Sequence, residues 1–415
     1  MELKKDLFVI PINKDSNIVY APLRGVLFSA NDNAVKVVKK YIDGVIMSDE
    51  ESQSAVGKHL CKIERLQPKI LHKKNILPTS HFTIILSQLC NLNCLYCYAK
   101  KSRSKETIAK EQLTKGLDYF LSQPIQDKSI IFTGGGEPTM AWDLLVYATE
   151  YALSSNNDTN LRFTIITNGT LLTDDKIDYI KKNNINIVLS FEVFSDMQNL
   201  QRGFADSELE TFPIINKGIE KLTANNIPFK IRSTITRNNI HLMVDMVKYV
   251  AIHYKKLTKI HFELESNSES EDLEIYTDFV DAFFEARVVG KAYDVEVYNY
   301  TFSSTNSLKY RFCDGDFCLT PIGDISACHR VSSSREKLYD KFHYGSLECL
   351  DNLEVERIER MLDNKFEECE ICFAKWHCAG GCIVERLAFC PEQMVAKCNS
   401  VREITKRVLK EKLLI

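Results

Sequence analysis

The apolar pattern changes period along the chain. Leu7-Phe8-Val9-Ile10-Pro11-Ile12, Asn17-Ile18-Val19-Tyr20 and Gly25-Val26-Leu27-Phe28 are short apolar runs split by turn formers such as Asn13-Lys14-Asp15-Ser16, which predicts three strands. Ala34, Val35, Val37, Val38, Tyr41 and Ile42 then recur at helical spacing, with Asn31 or Asp32 placed to cap the helix and Gly44 to end it. A second helix is expected to open near Ser48-Asp49-Glu50-Glu51, whose acids suit its positive end, and to run past Leu60 with Cys61 packed. Residues 1–76 thus read as a small α+β domain.

After the linker Ile76-Leu77-Pro78-Thr79-Ser80 the pattern becomes strand, helix, strand, helix. Strands are expected at 82–86, 129–133, 162–167, 186–191, 228–235 and 259–264, with helices at 106–122, 141–153, 174–183, 212–225 and 241–255. Six strand-helix units across 79–300 predict an α/β fold, a partial (β/α)6 TIM-like barrel, with its chemistry at the C-terminal strand ends. The acidic stretch 266–280 predicts the start of a solvated helix.

The first strand ends in Cys90-Asn91-Leu92-Asn93-Cys94-Leu95-Tyr96-Cys97, a C-x3-C-x2-C loop. Three thiolates from one loop can hold three irons of a [4Fe-4S] cubane, leaving a fourth open to another molecule. A structural zinc site is the competing reading, but zinc closes with four ligands and no further Cys or His lies close by in sequence. Fourteen cysteines without a secretion signal favour metal ligation in a reducing cytoplasm over disulfides. The net charge of -3, with Lys and Arg nearly balancing Asp and Glu, gives no electrostatic case for nucleic acid or an anionic membrane, and no apolar run has the length of a membrane span.

The second strand ends in Gly134-Gly135-Gly136-Glu137-Pro138, where consecutive glycines let a ligand approach the backbone. The third ends in Thr167-Asn168-Gly169-Thr170, read as a structural turn, and the fourth in Ser190-Phe191-Glu192. The fifth carries Arg232, and the sixth Glu263 and Glu265, which alternation points one way. From 313 the cysteines crowd: Cys313, Cys318 and Cys328, then Cys369-x2-Cys372-x5-Cys378-x3-Cys382, then Cys390 and Cys398. Thr320-Pro321-Ile322-Gly323-Asp324-Ile325 predicts a hairpin turn between Cys318 and Cys328. Cys349 and Cys390 are read as packed, and His329 and His377 as neighbours of ligands able to reach cluster sulfurs or simply sit at the surface.

The cysteine loop resembles that of the radical S-adenosylmethionine (SAM) enzymes, and Gly135, Gly136, Glu137 and Pro138 are similar to their Gly-Gly-Glu-Pro motif. The 301–415 array, with Cys313-x9-Gly323-x4-Cys328 at its head, resembles the SPASM auxiliary-cluster domain of radical SAM enzymes that modify peptides. The resemblance implies that SAM chelates the open iron, with Tyr96 near its adenine, Glu137 and the glycine backbone on its ammonium, Ser190 and Glu192 as ribose or carboxylate contacts, and Arg232 on its carboxylate. It further implies that Cys313, Cys328 and Cys382, with Cys318 as a fourth ligand, bind one auxiliary cluster, and Cys369, Cys372, Cys378 and Cys398 another, making three [4Fe-4S] clusters. Two zinc sites are the competing reading of this array. Residues 1–76 resemble the winged-helix-like element that holds precursor leader peptides.

The function so implied is a cytoplasmic maturase of a ribosomally synthesised (RiPP) precursor peptide with a leader, working through a 5'-deoxyadenosyl radical and forming a thioether or carbon-carbon cross-link. A low-potential donor such as ferredoxin or flavodoxin would supply electrons. A sulfatase-maturing, formylglycine-generating enzyme and a non-catalytic iron-sulfur or zinc scaffold are the alternatives. No catalytic acid or base is legible.

Overall fold

The computed structural model describes residues 2–101, 103–155, 159–254, 257–348, 350, 352–363 and 365–414; Cys349 lies outside them. The chain forms two compact units, one of residues 1–74, 300–312 and 363–415, the other of 75–299 and 313–362. The segments expected at 1–76, 79–300 and 301–415 are therefore shared out unevenly. The last of them contributes to both units.

The first unit holds strands β1 (Phe8–Pro11), β2 (Asn17–Ala21) and β3 (Val26–Ala30) in an antiparallel sheet of that order. Helix Asp32–Ile42 follows, capped by Asn31, whose side chain accepts from Ala34 N at 3.0 Å, with Gly44 at a φ of 74° beyond its end. Gly44 therefore takes the left-handed conformation in which glycine avoids a steric penalty. The single second helix expected is two, Asp49–Gln53 and Ala55–Arg65, because Ser54 recaps the chain by accepting from Gly57 N. Cys61 is exposed, contrary to expectation. Leu3, Leu7, Val19, Ala21, Val38, Leu60 and Ile63 form one core, and Ile10, Ile18 and Tyr20 pack with Leu409 of helix Pro391–Leu413 on another.

The second unit carries β4 (His81–Ile84), β5 (Asp127–Phe132), β6 (Asn160–Thr167), β7 (Asn186–Ser190), β8 (Phe229–Ile235), β9 (Lys259–Leu264) and β10 (Glu296–Tyr298). Each pairs in parallel with the next, so all six expected strands stand in chain order and β10 adds a seventh. Strand β11 (Cys318–Leu319) joins β4 in parallel, and β12 (Asp324–Ser326) and β13 (His343–Ser346) extend that edge antiparallel. The hairpin predicted around Gly323 is present, with Cys318 opposite Ser326.

Alternation along β5 to β9 buries Ile130, Phe132, Phe163, Ile165, Ile187, Leu189, Ile231, Ile235, Ile260 and Phe262 on one face. It leaves Ser190, Arg232, His261 and Glu263 on the other. The solvated helix expected from 266 begins only at Ile275 and runs to Ala292.

Candidate functional site

The cysteine loop is held by backbone rather than by regular structure. Asn93 N and Leu95 N donate to Gly203 O (2.9 Å) and Gln201 O (3.0 Å), and Ala205 N donates to Asn91 O (2.9 Å). The glycine turn after β5 closes on its other side: Gly136 N donates to Ser87 O (3.0 Å) and Glu137 N to Leu89 O (2.8 Å). A Cβ on Gly136 would stand 1.9 Å from Leu89 O. Gly136→Ala is therefore expected to force the loop off the turn, destabilising the unit by about 1–3 kcal/mol and lowering iron per reconstituted chain, as read by metal analysis.

Two arginines reach the loop sulfurs. Arg103 Nη2 lies 3.2 Å from Cys97 Sγ while its Nη1 donates to Leu92 O (3.1 Å), and Arg202 Nη1 lies 4.0 Å from Cys94 Sγ. Burial pushes the Cys90 thiol up to about 11 and raises that of Cys94. As bare thiols both stay protonated at neutral pH, so ligation has to displace their protons. Among the described residues no three His, Cys, Asp or Glu side chains already stand at metal-holding spacing. What is built is the loop and its donors.

Glu192 is a hub. It is fully buried; its Oε1 accepts from the Tyr96 hydroxyl and from Arg202 Nε (2.8 Å), and its Oε2 from Ser233 Oγ (2.5 Å) and Asn239 Nδ2 (3.3 Å). The Arg202 guanidinium lies 5.2 Å from the centroid of the Tyr96 ring. The next residue, Val193, takes a φ of 67°, a conformation that costs a β-branched side chain on the order of 1–3 kcal/mol. The turn it makes lets Gln198 Oε1 accept from Glu192 N (3.0 Å).

Glu137 is equally engaged. Its Oε1 accepts from Thr139 N (3.0 Å), Thr139 Oγ1 (2.6 Å) and Thr167 Oγ1 (2.6 Å), and its Oε2 from Asn168 N (2.7 Å). Asn168 Nδ2 donates to Asn91 Oδ1 (3.0 Å), so the Thr-Asn-Gly-Thr turn is tied to the cysteine loop. Gly135 has a φ of 60° and lies beside Gln88.

Ser190 and Arg232 are register partners on β7 and β8. Arg232 Nε is buried without a hydrogen-bond partner, a costly state for a guanidinium unless an anion answers it. That orphaned donor fits the carboxylate of a SAM molecule. His261, level with Arg232 on β9, bonds Glu263 Oε2 (2.9 Å) and stacks on Tyr298 at 4.8 Å. Burial raises the carboxyl of Glu265.

In the same unit, Cys318 is fully buried on β11, and Gly315 N donates to Cys313 Sγ (3.3 Å). His329 Nδ1 bonds Asp316 Oδ2 (3.0 Å). Cys382 belongs to the other unit. There, Arg386 Nη2 lies 3.6 Å from Cys369 Sγ and 3.7 Å from Cys398 Sγ, and burial pushes the Cys378 thiol up to about 12. His377 does not turn to a sulfur: its nitrogens bond the Tyr20 hydroxyl (2.7 Å) and Ser307 O (2.8 Å). Cys390, exposed, caps the last helix. Sequence reasoning missed Arg103, Arg202 and Arg386. The signal available was an arginine within a few residues of a cysteine cluster for Arg103 and Arg386, and none for Arg202.

The site is thus a parallel α/β domain with a three-cysteine loop and a glycine turn meeting at its strand ends. Residues 84–250 match the model of the Radical SAM superfamily. An uncharacterized protein of Methanocaldococcus jannaschii is 30% identical over 193 residues, 46% of this chain and 65% of that protein. The chain thus spans just under two thirds of that relative. The native anSMEcpe structure with bound AdoMet and Kp18Cys peptide matches with a TM-score of 0.67 at 19% identity, over 80% of this chain and 98% of that one. Streptococcus suis SuiB bound to precursor peptide SuiA matches with a TM-score of 0.56 at 14% identity, over 94% and 98%. The fold is shared with both, and the chain resembles radical SAM maturases. No described helix is long and apolar enough to cross a membrane.

Proposed function

We propose that the protein is a radical SAM enzyme that matures a ribosomally made precursor peptide in the cytoplasm. The observation that carries this is the cysteine loop clamped to the glycine turn through Gly136 and Glu137, together with Arg232 Nε buried and unanswered on β8. Cys90, Cys94 and Cys97 would hold a [4Fe-4S] cluster, and the turn and Arg232 would receive the ammonium and carboxylate of SAM. Held there in its reduced form, the cluster would supply one electron for homolysis of the sulfonium C5'–S bond, chemistry that would give methionine and a 5'-deoxyadenosyl radical able to take a hydrogen atom from a substrate carbon.

Tyr96, fixed by Glu192 and Arg202, would lie along the adenine, and Ser190 beside the ribose or carboxylate. Glu192 itself serves as the anchor of that wall, since its oxygens are already engaged by Tyr96, Arg202, Ser233 and Asn239. Closing a thioether from the carbon radical and a substrate thiol releases one proton and one electron. Cys313, Cys318 and Cys328 would contribute to one auxiliary cluster, and Cys369, Cys372, Cys378 and Cys398 would hold another, and these clusters would accept the electron. A ferredoxin or flavodoxin would prime the cycle. The three-stranded sheet with its helices supports a winged-helix-like leader site, because β1 and β3 each present an edge without a strand partner among the described residues.

The likeness to anSMEcpe favours a second reading, oxidation of a Cys or Ser to formylglycine. Deleting residues 1–76 would tear the first unit, so substrates must separate the two. With SAM and dithionite, a cysteine-containing precursor peptide, sought in the reading frames neighbouring this gene, is expected to lose two hydrogens while SAM yields 5'-deoxyadenosine, both detected by mass spectrometry. Formylglycine formed on a sulfatase-derived peptide, with the neighbouring peptide untouched, would favour the second reading.

A further inference from the structure

Arg386 sits on the short helix Ile383–Ala388, one turn after Cys382, with its side chain 7% exposed. Every face of its guanidinium is engaged. Nε donates to Gly380 O at 2.8 Å, Nη1 to Glu368 Oε1 at 2.6 Å, and the plane lies 4.2 Å from the centroid of the Phe366 ring. The remaining nitrogen, Nη2, spans two sulfurs far apart in sequence, Cys369 Sγ and Cys398 Sγ. The same construction recurs in the other unit, where Arg202 has Glu192 on one side, the Tyr96 ring against its face and Cys94 Sγ ahead of it.

We propose that Arg386 sets the reduction potential of a cluster held by Cys369, Cys372, Cys378 and Cys398, with Glu368 moderating it. The inference rests on reading those cysteines as cluster ligands and adds a residue outside the cysteine set. A [4Fe-4S] cluster gains one negative charge on reduction, so a fixed cation donating to its thiolates favours the reduced form and raises the potential. Glu368, on the far side of the guanidinium, opposes that effect. Being 60% exposed, it acts through a more screened charge. Arg386 is thus a positioning and charge residue, touching ligands and not substrate.

The test is an EPR-monitored reductive titration of the full chain, reconstituted anaerobically, as wild type, Arg386→Gln, Arg386→Lys and Glu368→Gln. In Arg386→Gln one auxiliary signal is expected to become harder to reduce, with the reduced-to-oxidised ratio at fixed potential falling at least about tenfold, roughly 59 mV for one electron. Arg386→Lys moves it the same way by less, and Glu368→Gln moves it in the opposite direction. The potential of the Cys90–Cys97 loop cluster stays where it was.

Unchanged potentials in Arg386→Gln and Glu368→Gln with iron retained would overturn the proposal, as would equal shifts of every cluster. If Arg386→Gln sheds auxiliary iron, Glu368→Gln decides alone: an unmoved potential rejects the assignment. Iron near four per wild-type chain, against about twelve for three clusters, would overturn the auxiliary-cluster reading and the proposal together.

Discussion

Cys94→Ala is expected to lower reductive cleavage of SAM by about 1000-fold or more, equivalent to roughly 4 kcal/mol of barrier. Cys94 lies between the other two cysteines of the loop, and Arg202, anchored by Glu192, approaches its sulfur. Its loss leaves two sulfurs in a loop that needs three to hold a cubane with one open corner. The readout is 5'-deoxyadenosine formed with dithionite in the absence of peptide, which separates cluster chemistry from substrate recognition. Yield equal to wild type would mean that this loop is not where SAM is split. Cys61→Ala, an exposed thiol of the first unit, supplies the control and is expected to change nothing.

Glu192→Ala should have the largest effect on stability of any single change outside the cysteines. It strands Arg202, itself 7% exposed, as a buried cation and strips acceptors from Tyr96, Ser233 and Asn239 at once. Removing one member of such a buried pair costs about 3–5 kcal/mol, to be read from the urea dependence of unfolding. Glu192→Gln keeps an acceptor oxygen for two of the partners and should cost less, while still releasing Arg202. A loss below about 1 kcal/mol for the alanine variant would show that the hub is solvated and not structural. The strained φ of Val193 argues the same point from the backbone. A chain tolerates a valine in that conformation only where surrounding bonds over-determine the turn.

The strands were legible because their burial alternates: Ile130, Phe132, Phe163, Ile165, Ile187 and Leu189 fall on one face at period two. Strand ends moved by one or two residues, since end residues such as Asp127 and Asn160 are polar and exposed and carry no apolar signal. Ser54 hid a helix break, because a serine inside an amphipathic stretch reads as tolerated until its hydroxyl is seen accepting from Gly57 N. The edge strands β11 to β13 are too short to announce themselves beyond the Gly323 hairpin.

For the site, motif spacing located the cysteines and the glycine turn but could not tell what the carboxylates touch. Glu137 and Glu192 look alike in sequence as open acids. In the structure both are saturated by Thr, Ser, Asn and Arg side chains from several strands and loops, contacts that no local pattern encodes. Arg202 illustrates the limit best. Its partners Tyr96 and Cys94 on the cysteine loop and Glu192 after β7 are brought together only by the fold.

A cluster held by Cys90, Cys94 and Cys97 alone leaves one iron that SAM can chelate. Electron-nuclear double resonance on the dithionite-reduced protein, with SAM carrying isotopic labels at its amino nitrogen and carboxylate oxygen, addresses this directly. Hyperfine coupling from both labels to the reduced cluster is the expected result, lost in Cys94→Ala. A cluster signal indifferent to SAM, or a single zinc ion with four protein ligands in place of any paramagnet, would contradict it.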